Sequence, residues 1–436
     1  MSNYKKIVPI ALVFFMAISI YSLFHSANER EKEYYTLLEE ARAYSQKGLL
    51  ADANQKYSEV LSMKSDISIY AEIGKMYRDK SNLESQITWG KKMVEMYPAE
   101  AESYEYLMQA YYDSGEYKNC FSLYDTYKKR ASQSENIENI YNEIKYSYEI
   151  VTKDYSAVSV FSSGYAAVEK GGRWGYVDEK GSTVIANIYT SAGSFMKVAP
   201  VTDEDGNAYY IDTQGNKKYL PADGFDAEIL GFFDGITYAA FDGEEYYYFN
   251  ADNQKVSGPY DYAGTYNYDK TAVFTDGKWH FIDREGNAIF NGNEYDSVIF
   301  DARDIAFRNE RVFVAEVGSL HYVMLDLEGN MIGTEKYEDA KAFVDNTYTA
   351  VKIDGKWGYI DNGGNVVIEP QYEDAKPFNN GYAPVKVNGM WGYIDNSGSI
   401  VIEPDFEDAG YFTAKGYAFV KKNGDWDMLK LLKDNH

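Results

Sequence analysis

The segment that comes nearest to a ligand set is Asp203-Glu204-Asp205-Gly206-Asn207. Carboxylates flanking a glycine are what a calcium loop uses. The bidentate glutamate that would close such a loop at its twelfth position is absent, and Gln214 stands there instead. A plain acidic turn explains the segment more simply. The four histidines, His25, His280, His321 and His436, show no ligand spacing. No Gly-x-Ser-x-Gly elbow, phosphate-binding loop, dinucleotide loop or His-Glu-x-x-His pattern occurs. The expectation is therefore a non-enzyme with no catalytic residue, no metal site and no cofactor. A hydrolase hidden in the repeats is the least favoured alternative.

Composition bounds the partners. The chain has 436 residues, so two or three folded units are expected. Forty-three Lys and Arg against 68 Asp and Glu leave a formal charge of −25. Such a field repels phosphate backbones, which argues against nucleic acid. The single cysteine, Cys120, excludes an intramolecular disulfide framework. Tyrosine occurs 44 times, too much aromatic surface for a disordered chain.

Ile7 to Phe24 is 18 residues without a charge, preceded by Lys5 and Lys6. As a helix it would span roughly 27 Å, close to the hydrocarbon thickness of a bilayer. Leu23-Phe24-His25-Ser26-Ala27 is a poor cleavage site, so an uncleaved anchor is preferred over a removed signal peptide or a buried core helix. The leading lysines predict a cytoplasmic N-terminus and extracytoplasmic repeats.

Residues 34–150 are poor in glycine and proline and repeat every 33 or 34 residues. Leu37, Tyr70 and Tyr104 mark the period, followed by Ala41, Gly74 and Met108 and then by Tyr44, Tyr77 and Tyr111. Tyr57, Trp89-Gly90 and Tyr124 mark the second half of each unit. This pattern resembles the tetratricopeptide repeat, a helix–turn–helix of about 34 residues. Ala41 and Ala53 fill its small positions, whereas Gln86, Met108 and Cys120 depart from it. Ile137, Ile140, Ile144 and Tyr148 predict a closing amphipathic helix. The resemblance implies either a groove for a protein or peptide or a spacer that holds the next domain off the membrane.

Residues 151–436 carry eight copies of a different unit. Aligning on a Trp-x-Tyr-Ile-Asp core gives registers at Trp174, Ala208, Tyr246, Trp279, Tyr322, Trp357, Trp391 and Trp426. A second marker gives the same count: Tyr155, Tyr189, Phe225, Tyr260, Tyr295, Tyr337, Tyr372 and Phe406. Ala383, Val385 and Val387 alternate with Tyr382, Pro384 and Lys386, a period of two that predicts strands. Asn388-Gly389 and the Asp395–Gly398 turn separate them, and Glu403-Pro404 is expected to end the third. Both faces are apolar, so each small sheet should be covered on both sides by its neighbours. The glycine after tryptophan is expected to leave room for a ring from the adjacent unit.

These residues resemble the WG-repeat family of bacterial proteins. The signature is Trp174-Gly175, Trp357-Gly358 and Trp391-Gly392, with weaker copies at Trp279 and Trp426. The resemblance implies a β-repeat domain. Tyr246–Asp252 is also similar to choline-binding cell-wall repeats, but their period near 20 points to convergence of aromatic hairpins.

The expected fold class is therefore α + β multidomain. Residues 1–28 form a membrane anchor, 29–150 a tetratricopeptide-like helical domain and 151–436 an all-β domain of eight units. The last unit lacks the segment after its core, and the domain begins with a matching one at Asp154–Phe161. Joining the two ends would close a β-propeller, which is favoured over an open β-solenoid. The 43-residue interval after Trp279 requires an insertion, expected to protrude within Arg303–Glu316. Because the copies lacking tryptophan lie in the middle, ligand contact is expected between Asp203 and Phe343. The functional expectation is a membrane-anchored cell-envelope interaction scaffold for a protein or peptide. The alternative is a glycan-binding protein using exposed Trp and Tyr.

Overall fold

The computed structural model describes residues 4–218 and 225–433, and for residues 4–15, 17 and 18 the helical backbone only. The chain separates into two compact units, 1–147 and 148–435.

The first is helical: α1 (Tyr4–Gln46), α2 (Leu50–Met63), α3 (Ile67–Arg78), α4 (Leu83–Met96), α5 (Ala101–Asp113), α6 (Tyr117–Arg130) and α7 (Glu135–Ile144). The apolar run Ile7–Phe24 lies at the start of α1, largely on residues whose side chains fall outside those described. Among the described residues no helix is long and apolar enough to cross a membrane. Each later helix is amphipathic, and its buried stripe recurs at three- and four-residue spacing, as in Ile69, Tyr70, Ile73, Met76 and Tyr77 of α3. Side-chain caps stop fraying where the sequence provides them. The Asp66 carboxylate accepts from Ser68 N at 3.0 Å and the Asn82 amide oxygen from Ser85 N at 3.1 Å. Ala41 and Ala53 are fully buried where α1 packs on α2. Gln86 and Cys120, the departures from small residues, are buried too. Tyr148 does not belong to the last helix. It begins a strand and pairs with Leu431.

The second unit is a β unit with seven antiparallel sheets among the described residues. The seventh repeat shows the pattern: Asp374–Ala375, Tyr382–Val387, Met390–Asp395 and Ile400–Phe406, in chain order. The hairpin between its second and third strands turns through Asn388 (φ 51°) and Gly389 (φ 81°). Two consecutive positive φ values match the twist of a two-residue hairpin. At the Asp395–Gly398 turn the carboxylate accepts backbone N–H groups from Ser397 and Ser399. The same two-donor grip recurs at Asp178, Asp212, Asp283, Asp326 and Asp361.

The two sequence markers are cross-strand partners. Trp174 faces Tyr189, Trp279 faces Tyr295, Trp357 faces Tyr372 and Trp391 faces Phe406. Trp426 faces Tyr155, at the opposite end of the domain, because strand Tyr148–Tyr155 pairs with strand Asp425–Leu431. The sheet of the last repeat is thus completed by the first strand of the unit. Its side chains also reach the first repeat: Tyr417, Phe419 and Met428 pack with Ala166, Val168 and Val177.

Three expectations are corrected. The Glu-Pro dipeptide does not end a strand, since Ile400–Phe406 runs through Pro404. Between the Trp391–Phe406 and Tyr393–Ile402 pairs, two residues of one strand span four of the other, a bulge that accommodates proline. That bulge also explains the glycine. A Cβ on Gly392 would lie 2.5 Å from the Ile402 carbonyl oxygen and 2.7 Å from Pro404 N. The space is taken by backbone of the same repeat, not by a neighbour's ring. Third, the insertion after Phe300 does not protrude. Ile305, Ala306 and Phe307 are at most 2% exposed. Ile305 bridges Thr265 of the preceding repeat in parallel, and Phe307 packs on Phe281. An apolar Ile-Ala-Phe run gains more from burial than a solvated loop would allow.

Candidate functional site

The inward insertion builds the main cavity of the β unit. Asp301 organises it. One carboxylate oxygen accepts Arg303 N at 2.8 Å and Ile305 N at 3.1 Å, which bends the chain back. Ile305 and Arg308 then make isolated bridges, to Thr265 and Arg311, and the chain turns at Asn309-Glu310, both with positive φ. This carries Arg303 and Arg308 to the same carboxylate. The other Asp301 oxygen is 3.0 Å from Arg303 Nη2 and 3.5 Å from Arg308 Nε.

The resulting cavity is about 340 Å³. Five repeats line it: Val160–Ser163 from the first, Phe300–Arg303 and Arg308 from the fifth, Lys341, Ala342 and Val344 from the sixth, Pro377 and Asn379 from the seventh, and Tyr411 and Phe412 from the eighth. Arg303 Nη1 donates to Ser162 Oγ at 3.3 Å, and Arg308 donates to the carbonyls of Phe343 and Val344. Burial, with Arg303 beside it, lowers the Arg308 guanidinium below its ordinary value. Burial and the carboxylates Asp301 and Asp408 push the Tyr411 hydroxyl up, so it stays protonated and can donate. Ligand contact was expected between Asp203 and Phe343. That half supplies the fifth repeat's residues, Lys341 and Ala342, while the rest of the lining comes from outside it.

The signature residues do not converge on this cavity. Trp174, Trp279, Trp357, Trp391 and Trp426 pair across strands of their own repeat and pack on the repeat that follows, Trp279 on Phe300 with ring centroids 5.1 Å apart. Trp357 and Trp391 are buried, with Lys341 and Lys376 ammonium groups 4.7 and 4.9 Å from their ring centroids. Gly175, Gly358 and Gly392 admit the bulged strand. The tyrosine two residues after the tryptophan position links neighbours too. Tyr176, Tyr210, Tyr248, Tyr359 and Tyr393 donate to carbonyls of Gly193, Gly231, Gly264, Lys376 and Gly410 in the following repeat, at 2.6–3.0 Å. In the acidic turn, the Asp203 carboxylate is occupied by donors from Asp205, Asn207 N and the Asn207 amide.

The helical unit holds a separate cleft of about 460 Å³. It lies among α3, α4, α5 and α7, with Arg78, Glu102, Glu105, Tyr106 and Gln109 on its walls. Glu105 accepts from Ser134 Oγ at 2.5 Å and Asn136 Nδ2 at 3.3 Å. The Tyr106 ring occupies the space beside Gly74, where any Cβ would collide with it. Its hydroxyl is buried with no hydrogen-bond partner.

Sequence reasoning missed Asp301, Arg303, Arg308, Lys341 and Tyr411 as a group. The available signal was the 43-residue interval, which located the insertion but not its direction.

The WG-containing repeat family model matches residues 149–174, 174–197, 325–357, 357–391 and 391–426. The chain carries WG-containing repeats. The first match contains the strand that completes the last sheet, and the third to fifth cover the most regular repeats. No curated protein matches the chain. Among solved structures it is similar to BamB from Moraxella catarrhalis, with 11% identity over 65% of this chain and 99% of that one and a TM-score of 0.42. It is also similar to the computationally designed Ika8 protein, with 15% identity over 65% and 98% and a TM-score of 0.40. Hsv2 of Kluyveromyces lactis gives 10% identity over 64% and 97%, with a TM-score of 0.35. Likenesses this distant assign no function.

Proposed function

We propose that the protein is a non-enzymatic, membrane-anchored interaction scaffold of the cell envelope, with its repeats outside the cytoplasmic membrane. The helical unit is a tetratricopeptide-like stack that holds a protein or peptide partner, and the β unit is a closed eight-bladed propeller. The observation that carries the binding role is the helical cleft. Its walls alternate charged and amide groups with Ala71, Met93 and Ile140, and the buried Tyr106 hydroxyl has an unmet hydrogen bond. A buried hydroxyl without a partner costs about 1–3 kcal/mol, which a peptide carbonyl in the cleft would relieve if the Tyr106 ring turned from Gly74 to meet it. A photocrosslinking residue at Gln109 in intact cells tests this. The expected product is a protein adduct that weakens in Tyr106→Phe. A glycan adduct, or none, would overturn the reading.

Closure rests on the pairing of Tyr148–Tyr155 with Asp425–Leu431 and on a cavity shared by the first, fifth, sixth, seventh and eighth repeats. Glu149 and Lys430 are directly opposed and exchange an ion pair of 3.2 Å. Replacing both by cysteine should give an intramolecular disulfide, since opposed antiparallel residues sit about 4.5–5.5 Å apart. Absence of the fast-migrating oxidised monomer would refute closure. The anchor rests on the apolar run Ile7–Phe24 behind Lys5 and Lys6. Added protease should digest the repeats of wall-stripped cells, and full protection would refute the orientation.

A further inference from the structure

The cavity of the β unit is cationic inside a protein whose formal charge is −25. Arg303, Arg308 and Lys341 line it, against one carboxylate, Asp301, among the described residues. Both guanidinium groups are already committed, to Asp301, Ser162 and the carbonyls of Phe343 and Val344. Lys341 is not.

The repeat supplies an internal control. Lys341 and Lys376 occupy the same position, in Asp339-Ala340-Lys341 and Asp374-Ala375-Lys376, each over the tryptophan of its own repeat. Lys376 Nζ reaches the next repeat, 2.6 Å from Asp408 Oδ1 and 2.8 Å from the Ala409 carbonyl. Among the described residues Lys341 Nζ has neither partner and lines the cavity. Tyr411 lines the same cavity, and among the described residues its hydroxyl makes no hydrogen bond either. Phe161, Phe300, Phe412 and Pro377 complete the walls.

We propose that this cavity binds a small organic carboxylate with a compact apolar or aromatic body. Lys341 takes the carboxylate and Tyr411 donates a hydrogen bond to it. The arginines, tied to backbone and Asp301, hold the positive potential without moving. The aromatic walls take the body of the ligand. An inorganic anion would leave those walls unused, and the volume matches the lower end of small-ligand pockets, about 300 Å³. This site is separate from the helical cleft and does not depend on the partner proposed there.

Titration calorimetry of the full chain in detergent at low salt tests the assignment, with benzoate, benzyl alcohol and inorganic phosphate as probes. Benzoate should bind saturably and benzyl alcohol should not. Lys341→Met should weaken benzoate at least tenfold. Lys376→Met, which removes the paired equivalent, should leave it within twofold. If Lys341→Met fails to fold, Tyr411→Phe carries the test, with an expected loss of about threefold. Benzoate binding no better than benzyl alcohol would overturn the proposal. So would benzoate binding unchanged in Lys341→Met or, where that variant does not fold, in Tyr411→Phe. Phosphate binding without benzoate binding would replace the organic carboxylate by an inorganic anion and also overturn it.

Discussion

Gly392→Ala adds one methyl group at a place where the surrounding atoms are backbone. The new Cβ would sit 2.5 Å from the Ile402 carbonyl oxygen, 2.7 Å from Pro404 N and 2.9 Å from the Glu403 carbonyl carbon. Those atoms belong to the bulge opposite, which the Trp391–Phe406 and Tyr393–Ile402 pairs hold from both sides. They cannot yield as a flexible side chain would, so overpacking should cost at the upper end of its range, about 3 kcal/mol. For a unit of this length the unfolding entropy near 60 °C is roughly 0.6 kcal/mol/K, so the expected fall in Tm is about 5 °C. Gly355→Ala separates this cause from ordinary glycine strain. Gly355 has φ 76° and open space around it, so only its backbone conformation objects. That costs about 1 kcal/mol and about 2 °C. The assay is tryptophan-monitored thermal unfolding of the full chain. A Tm for Gly392→Ala within 1 °C of the parent, or a smaller loss than for Gly355→Ala, would refute the bulge argument. Rescue of Gly392→Ala by Phe412→Leu would refute it too, because that rescue requires the clash to be with a neighbour's ring.

Three further outcomes are expected. Tyr393→Phe removes the 2.9 Å bond from a buried hydroxyl to the part-buried Gly410 carbonyl, which should cost about 1 kcal/mol in denaturant unfolding; no change would show that the link between repeats is dispensable. Phe307→Ala should cost about 3–5 kcal/mol, as for a core aromatic, because the insertion is buried; a loss under about 0.5 kcal/mol would restore the protruding loop. The pH dependence should separate two carboxylates. Donation from Asn207 N lowers Asp203 below its usual range, so its contribution is present above about pH 3.9 and lost as pH falls through the folded value. Burial raises Asp304, so its ionised form opposes folding above its folded value and that penalty vanishes below about pH 3.9. Asp304→Asn should therefore gain stability relative to the parent at pH 7 and lose that advantage by pH 3, whereas Asp203→Asn should lose stability at pH 7; Tm measured from pH 3 to 7 that reversed either sign would overturn the assignment.

The repeat count, the strands, the hairpins and the aspartate turns were legible in the sequence because each is local. A period of two, an Asn-Gly pair and an Asp-x-x-Gly turn act within a few residues of themselves. Tyr148 was misplaced because its apolar spacing continues that of α7, while its partner Leu431 lies at the other end of the domain. The pairing of Tyr155 with Trp426 could be anticipated because Asp154–Phe161 matches the Asp405–Phe412 segment that follows the core of the seventh repeat. The role of Gly392 could not. A bulge forms between two strands, and only their register shows that backbone fills the space. The same holds for Phe300–Arg311. Its length was visible as an irregular interval, but its direction depended on Ile305 and Phe307 finding Thr265 and Phe281 in the preceding repeat. Composition and spacing therefore determined what each repeat is. Long-range burial decided where Arg303, Arg308, Lys341 and Tyr411 meet, because residues from repeats more than a hundred positions apart share a cavity only after the sheets have packed.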